Sequence, residues 1–458
     1  MTNSENQASL RKRVLRAGGW SIAGYGLGQV LRFASNLIMT RLLVPEMFGI
    51  MAIATMVTLI ILMLSDIGLS QNIVRHRRDD DAVFLDTVWV VQIARGVFVW
   101  LLVVLVSAAV HVANSYALFP AGSVYALPIL PLVIAVNSFS AVILGLRSTK
   151  VAIAHRNFDQ RRIVQIELIS QIAALLVMIG AGVATRSVWA IVAGGLVAAL
   201  VTTLLSHVYL NGRGDRFRWD QDTLKELFHF GKWMSVSSFA TVLAVSGDRL
   251  LVGGFADAET LGLFAIAVLI IGVFQGVLGK LYGSVSLPAL SETFRNDSAR
   301  LREIYYKLRV PGDLLLLFTA GLLFMSGQLA IDILYDPRYA AAGEMLRVLA
   351  LSLVSARYFT ALPIYVSMGV PHYMAIINLV RCVSIYALVP LLFHFSGFQA
   401  ALWGISLHAL AMAPFIYGFN AKLGLNNLRL ELAVLPALPA GLLCGWALNT
   451  LLAGFDFH

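Results

Sequence analysis

Long apolar stretches separated by short polar segments recur along the whole chain. Each stretch has about 20 residues, the length that a helix needs to cross the hydrocarbon core of a bilayer. Only helices and closed barrels satisfy their backbone hydrogen bonds in lipid, and these stretches lack the two-residue alternation of barrel strands. The pattern predicts transmembrane helices over 18–42, 47–70, 87–110, 126–146, 165–185, 187–210, 233–255, 260–290, 310–334, 343–368, 372–394, 398–420 and 433–453.

The composition supports the same class. Of the 458 residues, 59% are hydrophobic and only 13% are charged, and the mean hydropathy is +0.80. Soluble domains carry about 25% charged residues. Because a chain with half that fraction cannot cover its surface with polar groups, lipid must solvate much of it. The predicted fold class is therefore all-α, a polytopic membrane protein.

The positive charges lie on one side of the predicted spans. With the N-terminus in the cytoplasm, the inner segments carry 24 Lys and Arg, and the outer segments carry only Arg41, Arg186 and Arg338. This bias predicts a multi-pass membrane protein with a cytoplasmic N-terminus. It also accounts for the net charge of +9 without nucleic acid, because the cations face anionic lipid headgroups.

One polar segment carries its own helix signal. Within 220–231, Thr223 and Glu226 match a capping box, and Gly231 stands where a glycine often ends a helix. The pattern predicts a short surface helix that starts near Thr223 and stops at Gly231.

The two halves of the chain resemble each other. At a constant offset of 213, Leu37 matches Leu250, and the short string from Phe48 to Ala54 matches the string from Leu261 to Ala267. Trp20 and Trp233 share the same offset. Because six predicted spans separate the copies, both halves enter the membrane in the same sense. Such parallel repeats are common in transporters, where the substrate path runs at the repeat interface.

Three motifs carry a resemblance to a known family. They are Arg-Leu-Leu-x-Pro-Glu-x-Phe-Gly over 41–49, Asp-x-Gly-Leu over 66–69, and the string GDRLLVGGFADAETLGLF over 247–264. In this order and spacing, the chain resembles the polysaccharide-transport flippases of the multidrug/oligosaccharidyl-lipid/polysaccharide exporter superfamily, as far as about residue 420. Members of that family are thought to move undecaprenyl-pyrophosphate-linked oligosaccharides across the inner membrane by alternating access.

The resemblance implies a V-shaped fold of two parallel-repeat six-helix bundles plus about one extra C-terminal span. The expected domains are a cytoplasmic tail, an N-lobe, a cytoplasmic inter-lobe linker, a C-lobe and an additional membrane segment, at 1–17, 18–212, 213–232, 233–422 and 423–458. The implied function is a flippase for a polyprenyl-pyrophosphate-linked glycan in exopolysaccharide or lipopolysaccharide assembly. Expected partners are that glycan, membrane lipids, and the polymerase and glycosyltransferases of the pathway.

Ionisable side chains inside the predicted spans are the candidate site residues. A charge near mid-bilayer costs at least about 2.5–3.5 kcal/mol, so it usually meets a cavity or a partner. A pyrophosphate headgroup needs fixed cations, and arginine gives bidentate contacts to its oxygens. The headgroup-binding candidates are Arg32, Arg357, Arg249, Lys280, Arg95 and Arg381. For Arg249, Arg95 and Arg381, snorkelling or an acid pair is an equally good interpretation.

No catalytic, metal or cofactor motif accompanies these cations, and no P-loop is present. The energy source is then an ion gradient or another subunit, with H+ or Na+ as candidate coupling ions. Asp66 and Asp248 are candidate coupling residues, although a helix cap or salt bridge fits them better. The run Asp79-Asp80-Asp81 suits a solvated loop better than a metal site.

Two other functions remain open. A cation-coupled multidrug antiporter usually has an acid in or near span one, where this chain has Arg32 and no acid. A membrane-embedded polysaccharide polymerase would need catalytic acids or arginines in a sizeable outer loop. The longest predicted outer loop, 111–125, contains none. A transporter that is not an enzyme is the preferred prediction.

Overall fold

The computed structural model describes residues 2–69, 73, 82–120, 122–157, 159–359 and 362–452, so the acidic run 79–81 lies outside the described part. Within these ranges all regular structure is helical, as predicted for the class. Up to residue 208 the helices are α1 (Thr2–Leu42), α2 (Pro45–Leu64), α3 (Ala82–Ser115), α4 (Leu130–Asn137), α5 (Ser140–Gly145), α6 (Lys150–Arg156), α7 (Gln160–Thr185) and α8 (Trp189–Val208).

The second half is also built from helices of very different lengths. They are α9 (Gln221–Phe255), α10 (Ala258–Asn296), α11 (Leu301–Leu334), α12 (Ala342–Ala350), α13 (Ser352–Ala356), α14 (Pro363–Ser367), α15 (Pro371–Leu407), α16 (Ala413–Lys422), α17 (Leu428–Ala433) and α18 (Ala437–Leu452). At 1.5 Å per residue, the longest of these exceed the roughly 30 Å hydrocarbon core and must extend beyond it.

The chain divides into two compact units. The first comprises Met1–Leu43 with Ile50–Leu243, and the second comprises Val44–Gly49 with Ala244–His458. The division falls inside α9, whereas the sequence predicted an inter-lobe linker at 213–232. Part of that predicted linker is the first turns of α9, and α1 likewise runs through most of the predicted tail at 1–17.

Eight helical stretches of the described residues are long and apolar enough to cross a membrane, or nine if a bent pair counts as one span. The bent pair turns by 67° between Gly145 and Lys150, at the end of the span predicted at 126–146, and that span is itself split into α4 and α5. The predicted span 343–368 is likewise split into α12, α13 and α14. The spans predicted at 372–394 and 398–420 lie on either side of Gly397, where α15 is broken because the backbone is not helical and φ is 75°. Periodicity alone does not detect the breaks at 137–140 and 356–363, because the apolar character continues on both sides of them.

The start of α9 differs from the predicted surface helix. The amide of Thr223 donates to Asp220 Oδ2 at 2.8 Å, so Asp220 caps the helix and Thr223 lies three residues inside it. The helix then continues through Gly231 to Phe255. The capping-box prediction was therefore wrong by one turn, since aspartate is at least as good a cap as threonine.

This cap makes α9 sensitive to acid. The hydrogen bond from the Thr223 amide holds the pKa of Asp220 below its ordinary value. A carboxylate with a lowered pKa stabilises the fold at pH above its unfolded pKa, and this stabilisation is lost as the pH falls through its folded pKa. We expect Asp220→Ala to speed amide hydrogen exchange at Thr223 and Leu224 at neutral pH. Asp220→Asn should preserve protection, because asparagine also caps; equal exchange in both variants would contradict the cap.

The repeat offset also relates helix ends. α1 ends at Leu42 and α9 ends at Phe255, while α2 begins at Pro45 and α10 begins at Ala258. Both pairs are 213 residues apart. The sequence repeat therefore marks corresponding breaks in the backbone, and the similarity is more than a shared richness in leucine.

Two glycines of the repeat pack against each other's helix. A Cβ on Gly49 would collide with the carbonyl oxygen of Ala258, and a Cβ on Gly262 would collide with that of Pro45. The two partners are again 213 residues apart, so the contact is reciprocal. We call these two residues the glycine pair. Only glycine lets the starts of α2 and α10 approach this closely.

Candidate functional site

Three predicted site residues lie together in the second unit. Asp248 and Arg249 are near the end of α9, and Arg381 is in α15. Both arginines are close enough to interact electrostatically with the Asp248 carboxylate, which also accepts a hydrogen bond from the Arg249 amide at 2.8 Å. Two cations therefore interact with one acid, so this part of the second unit carries a net positive charge.

Arg381 is only partly satisfied by the described residues. Its guanidinium carbon lies 4.5 Å from the ring centre of Phe359, a cation–π distance. Its Nε is buried and has no hydrogen-bond partner in the described part of the chain. An arginine held by an aromatic ring and one shared acid keeps donors for a further anion.

Sequence reasoning missed two neighbours of this group. His408 is 8% exposed, with Nδ1 2.8 Å from the carbonyl oxygen of Ile405, and it interacts electrostatically with Arg381. Tyr386 interacts with Asp248. A single histidine in an apolar run was the only available signal for His408, and such a residue is usually structural. We call Asp248, Arg249, Arg381, Tyr386 and His408 the α9–α15 polar cluster.

Arg357 has a different environment. It lies just after α13, is 2% exposed, and pairs with two carboxylates. Its Nη2 donates to Glu431 Oε2, and its Nε is 3.7 Å from Asp313 Oδ2. The prediction that Arg357 binds a substrate headgroup is not tested by this geometry. The pairing nevertheless neutralises its charge inside the second unit and favours a structural role.

Arg309 completes this group. Its Nε is 3.0 Å from Asp313 Oδ2, and its Nη1 is 2.5 Å from Glu431 Oε1. We call Arg309, Asp313, Arg357 and Glu431 the four-charge cluster. Two arginines and two carboxylates cancel in formal charge, and a buried group of this kind is stable only when its hydrogen bonds are made.

Tyrosines satisfy much of the remaining hydrogen-bonding capacity. Tyr306 and Tyr417 each donate to Glu431 at 3.0 Å, and Arg309 donates to the Tyr305 hydroxyl at 3.2 Å. The spacing of Arg309 and Asp313, one helical turn apart, could have been found in the sequence. Glu431 could not, because it reaches Arg309 across 122 residues.

Arg95 and Asp66 hold the end of α2. Arg95 donates to the Leu62 carbonyl at 2.7 Å and to Ser65 Oγ at 3.2 Å, and its Nη2 is 4.0 Å from Asp66 Oδ1. Asp66 in turn accepts from the Gly68 amide at 3.1 Å and from Ser238 Oγ at 3.0 Å. These contacts are those of a helix C-cap. The headgroup role of Arg95 and the coupling role of Asp66 stay predictions.

Arg32 and Lys280 are the remaining predicted cations. Both are exposed, Arg32 on α1 and Lys280 at the end of the apolar part of α10. Neither makes a hydrogen bond or ion pair with the described residues. Because an unpaired cation is costly in hydrocarbon, water or an anion must meet these side chains if they lie at membrane depth.

The apolar, membrane-length helices of the described residues define a multi-pass α-helical membrane protein. The family described as "Polysaccharide biosynthesis protein" matches residues 38–344, and the chain belongs to that family. It is 24% identical over 352 residues to the succinoglycan biosynthesis transport protein ExoT of Rhizobium meliloti (strain 1021). The match covers 74% of this chain and 66% of that relative, so it spans slightly less than two thirds of the relative's length.

Solved structures confirm the predicted fold. The chain is similar to the lipid II flippase MurJ in an inward closed conformation, with a TM-score of 0.70, 12% identity, and coverage of 95% of this chain and 93% of that one. It is also similar to an inward-facing multidrug resistance transporter of the MATE family, with a TM-score of 0.65, 14% identity, and coverage of 90% and 95%. The family match thus confirms the predicted relation to polysaccharide biosynthesis proteins, and the two structures confirm the exporter fold.

Proposed function

We propose that this protein is a flippase that moves a polyprenyl-pyrophosphate-linked oligosaccharide across the bacterial inner membrane for surface polysaccharide assembly. Family membership supports a role in polysaccharide biosynthesis, and the exporter fold supports transport rather than enzyme chemistry. The observation that carries the proposal is a set of cations that have too few acids beside them to neutralise their charge. These are Arg32, Lys280 and the arginines of the α9–α15 polar cluster.

The proposed substrate suits this charge distribution. The pyrophosphate is the fixed anionic part of every such lipid, while the glycan varies. Arginine binds phosphate oxygens through a rigid fork of donors, and lysine adds a compact charge. In the proposed mechanism, each of these cations is a candidate contact for the pyrophosphate, and Asp248 partly neutralises Arg249 and Arg381 when no substrate is bound. Alternating access around these cations would then expose the headgroup to each side of the membrane in turn.

The coupling ion and the partners belong to the same proposal. H+ or Na+ would drive the cycle, with Asp248 as the better placed coupling candidate because it lies among the substrate-binding arginines. The N-terminus would be cytoplasmic, and the polymerase and glycosyltransferases of the pathway would act on either side of the flipping step. A multidrug antiporter remains the alternative, although α1 has Arg32 and no acid over 18–42.

Arg32→Ala tests the headgroup assignment. A charge-assisted hydrogen bond contributes about 1.5–3 kcal/mol, so its loss should slow flipping roughly tenfold to a hundredfold. The measurement is the accumulation of lipid-linked glycan in the inner leaflet of cells whose own gene has been deleted. Arg32→Lys should retain part of the activity.

Arg302→Ala is the matched control, since Arg302 is also an exposed arginine but lies outside the proposed path. It should export glycan at the wild-type rate. If Arg32→Ala inserts normally and exports equally well, Arg32 does not bind the headgroup. If purified protein polymerises or hydrolyses the glycan without transporting it, the flippase proposal fails.

A further inference from the structure

The segment that joins α8 to α9 is held in place by buried acids. Arg213 Nη2 donates to Asp86 Oδ2 at 2.8 Å, and the Arg216 amide donates to Asp86 Oδ1 at 3.0 Å. The Asp86 side chain is only 2% exposed. Two hydrogen bonds to one buried carboxylate fix the path of the backbone between residues 213 and 216.

A second carboxylate fixes the same segment from within. Asp215 accepts from Ser148 Oγ at 2.6 Å and from the Thr149 hydroxyl. Its side chain is 2% exposed, so this carboxylate interacts with groups of the protein and does not face the surface. The next two acids are also engaged, because Asp220 caps α9 and Asp222 lies 3.1 Å from Lys225 Nζ.

This fixed backbone presents aromatic and cationic side chains outward. Phe217 is 76% exposed and Trp219 is 55% exposed, and the arginines beside them, Arg216 and Arg218, are exposed as well. Phe217 packs on one side against Trp89, with ring centres 4.9 Å apart. We call residues 213–219 the arginine–aromatic loop.

The loop follows directly on a lipid-facing helix end. In the last turns of α8, Leu204 is 56% exposed and Val208 is 84% exposed. Apolar side chains so exposed on a membrane-length helix face hydrocarbon. Tyr209, the next residue, is 40% exposed. The loop therefore starts where hydrocarbon gives way to headgroups, the depth at which tryptophan and tyrosine are enriched.

From this arrangement we propose that the arginine–aromatic loop binds anionic lipid headgroups. Phe217 and Trp219 lie in the interfacial layer, and Arg216 and Arg218 contact lipid phosphates. Exposed arginines alternate with exposed aromatic rings at the depth of the headgroups, and the neighbouring acids already have partners in the protein. This site is distinct from the transported substrate's site, because none of its residues is among the proposed headgroup ligands.

The test uses the full-length protein with a fluorophore attached at Asn211→Cys, an exposed position two residues before the loop. The quencher is one that acts only at short range. Cys382 and Cys444 are first replaced by serine. The protein is reconstituted in phosphatidylcholine vesicles that contain a little phosphatidylglycerol, and a quencher is attached to the headgroup of one lipid or the other. At equal amounts of quencher, we expect labelled phosphatidylglycerol to quench the fluorophore more strongly than labelled phosphatidylcholine.

Arg216→Gln with Arg218→Gln should bring the two quenching efficiencies close together, with lipid preference falling roughly fivefold per arginine. The control pair, Arg300→Gln with Arg302→Gln, removes the same charge from another predicted inner segment and should leave the preference intact. Phe217→Ser should weaken quenching by both lipids.

Four outcomes would overturn the proposal. One is equal quenching by the two lipids in the unmodified loop, and another is the same loss in the control pair. The third is competition by inorganic phosphate beyond that of chloride at equal ionic strength, which would indicate a site for free phosphate. A fluorophore that stays exposed to water in every vesicle would also reject lipid binding. The aromatic rings would then be accessible to a soluble protein.

Discussion

Replacing Glu431 by leucine should destabilise the second unit by about 3–5 kcal/mol, because it leaves two buried arginines with a single carboxylate. Glu431 is 5% exposed and accepts hydrogen bonds from Arg309, Arg357, Tyr306 and Tyr417. All of these donors would lose their acceptor at once. At 2–4 °C per kcal/mol for a unit of this size, the melting temperature in detergent should fall by roughly 6–20 °C.

A double variant separates charge balance from packing. Arg357→Leu with Glu431→Leu removes one cation and one anion, and leaves Arg309 with Asp313, whose Nε and Oδ2 are 3.0 Å apart. Because replacing a buried ion pair by apolar residues is often close to neutral, the double variant should be more stable than Glu431→Leu alone. Glu259→Leu, at an exposed acid, should change the melting temperature little.

The same double variant decides the role of Arg357. If Arg357 serves only to neutralise buried carboxylates, the folded double variant should still export glycan. If it binds the pyrophosphate, export should be lost while the melting temperature stays near that of the wild type. A double variant that melts as low as Glu431→Leu would reject the idea that charge imbalance drives the destabilisation.

Alanine at either member of the glycine pair should push the starts of α2 and α10 apart. The new Cβ meets a backbone carbonyl, which cannot rotate away as a side chain can. Overpacking of this kind typically costs about 1–3 kcal/mol, or roughly 2–12 °C in melting temperature. Gly272→Ala is the matched control on α10, because a Cβ there meets nothing within 4 Å and alanine is the better helix former.

The two substitutions of the glycine pair should not be additive. Once the first Cβ has separated the backbones, the second enters space that is already open, so Gly49→Ala with Gly262→Ala should cost less than the sum of the single changes. Additive effects would mean that the two contacts are independent, and an unchanged melting temperature in all three variants would mean that the close approach is not needed for stability.

The sequence anticipated the regular elements better than the breaks between them. Apolar length located the membrane-spanning helices, and the offset of 213 located the corresponding helix ends around residues 42 and 255. The breaks at 137–140 and 356–363 were missed, because the apolar character of the sequence continues on both sides of them. The cap at Asp220 was missed in favour of Thr223, since both residue types accept hydrogen bonds from helix amides.

For the candidate site, the sequence located charges but not their partners. It marked Arg32, Lys280 and the arginines of the α9–α15 polar cluster as unusual, because any cation in an apolar run is costly. It offered snorkelling or an acid pair as an alternative for Arg249, Arg95 and Arg381, but not for Arg357. The acid that pairs with Arg357 is Glu431, which is 74 residues away along the chain.

The sequence by itself determined the class of protein, the repeat and the presence of cations in an apolar setting. Those properties depend on local hydrophobicity and on residue spacing, which the linear order records. Only the tertiary structure decided which cations are neutralised. Pairing depends on which side chains packing brings within a few ångströms of each other, and residues far apart in the chain meet only when the helices between them have folded.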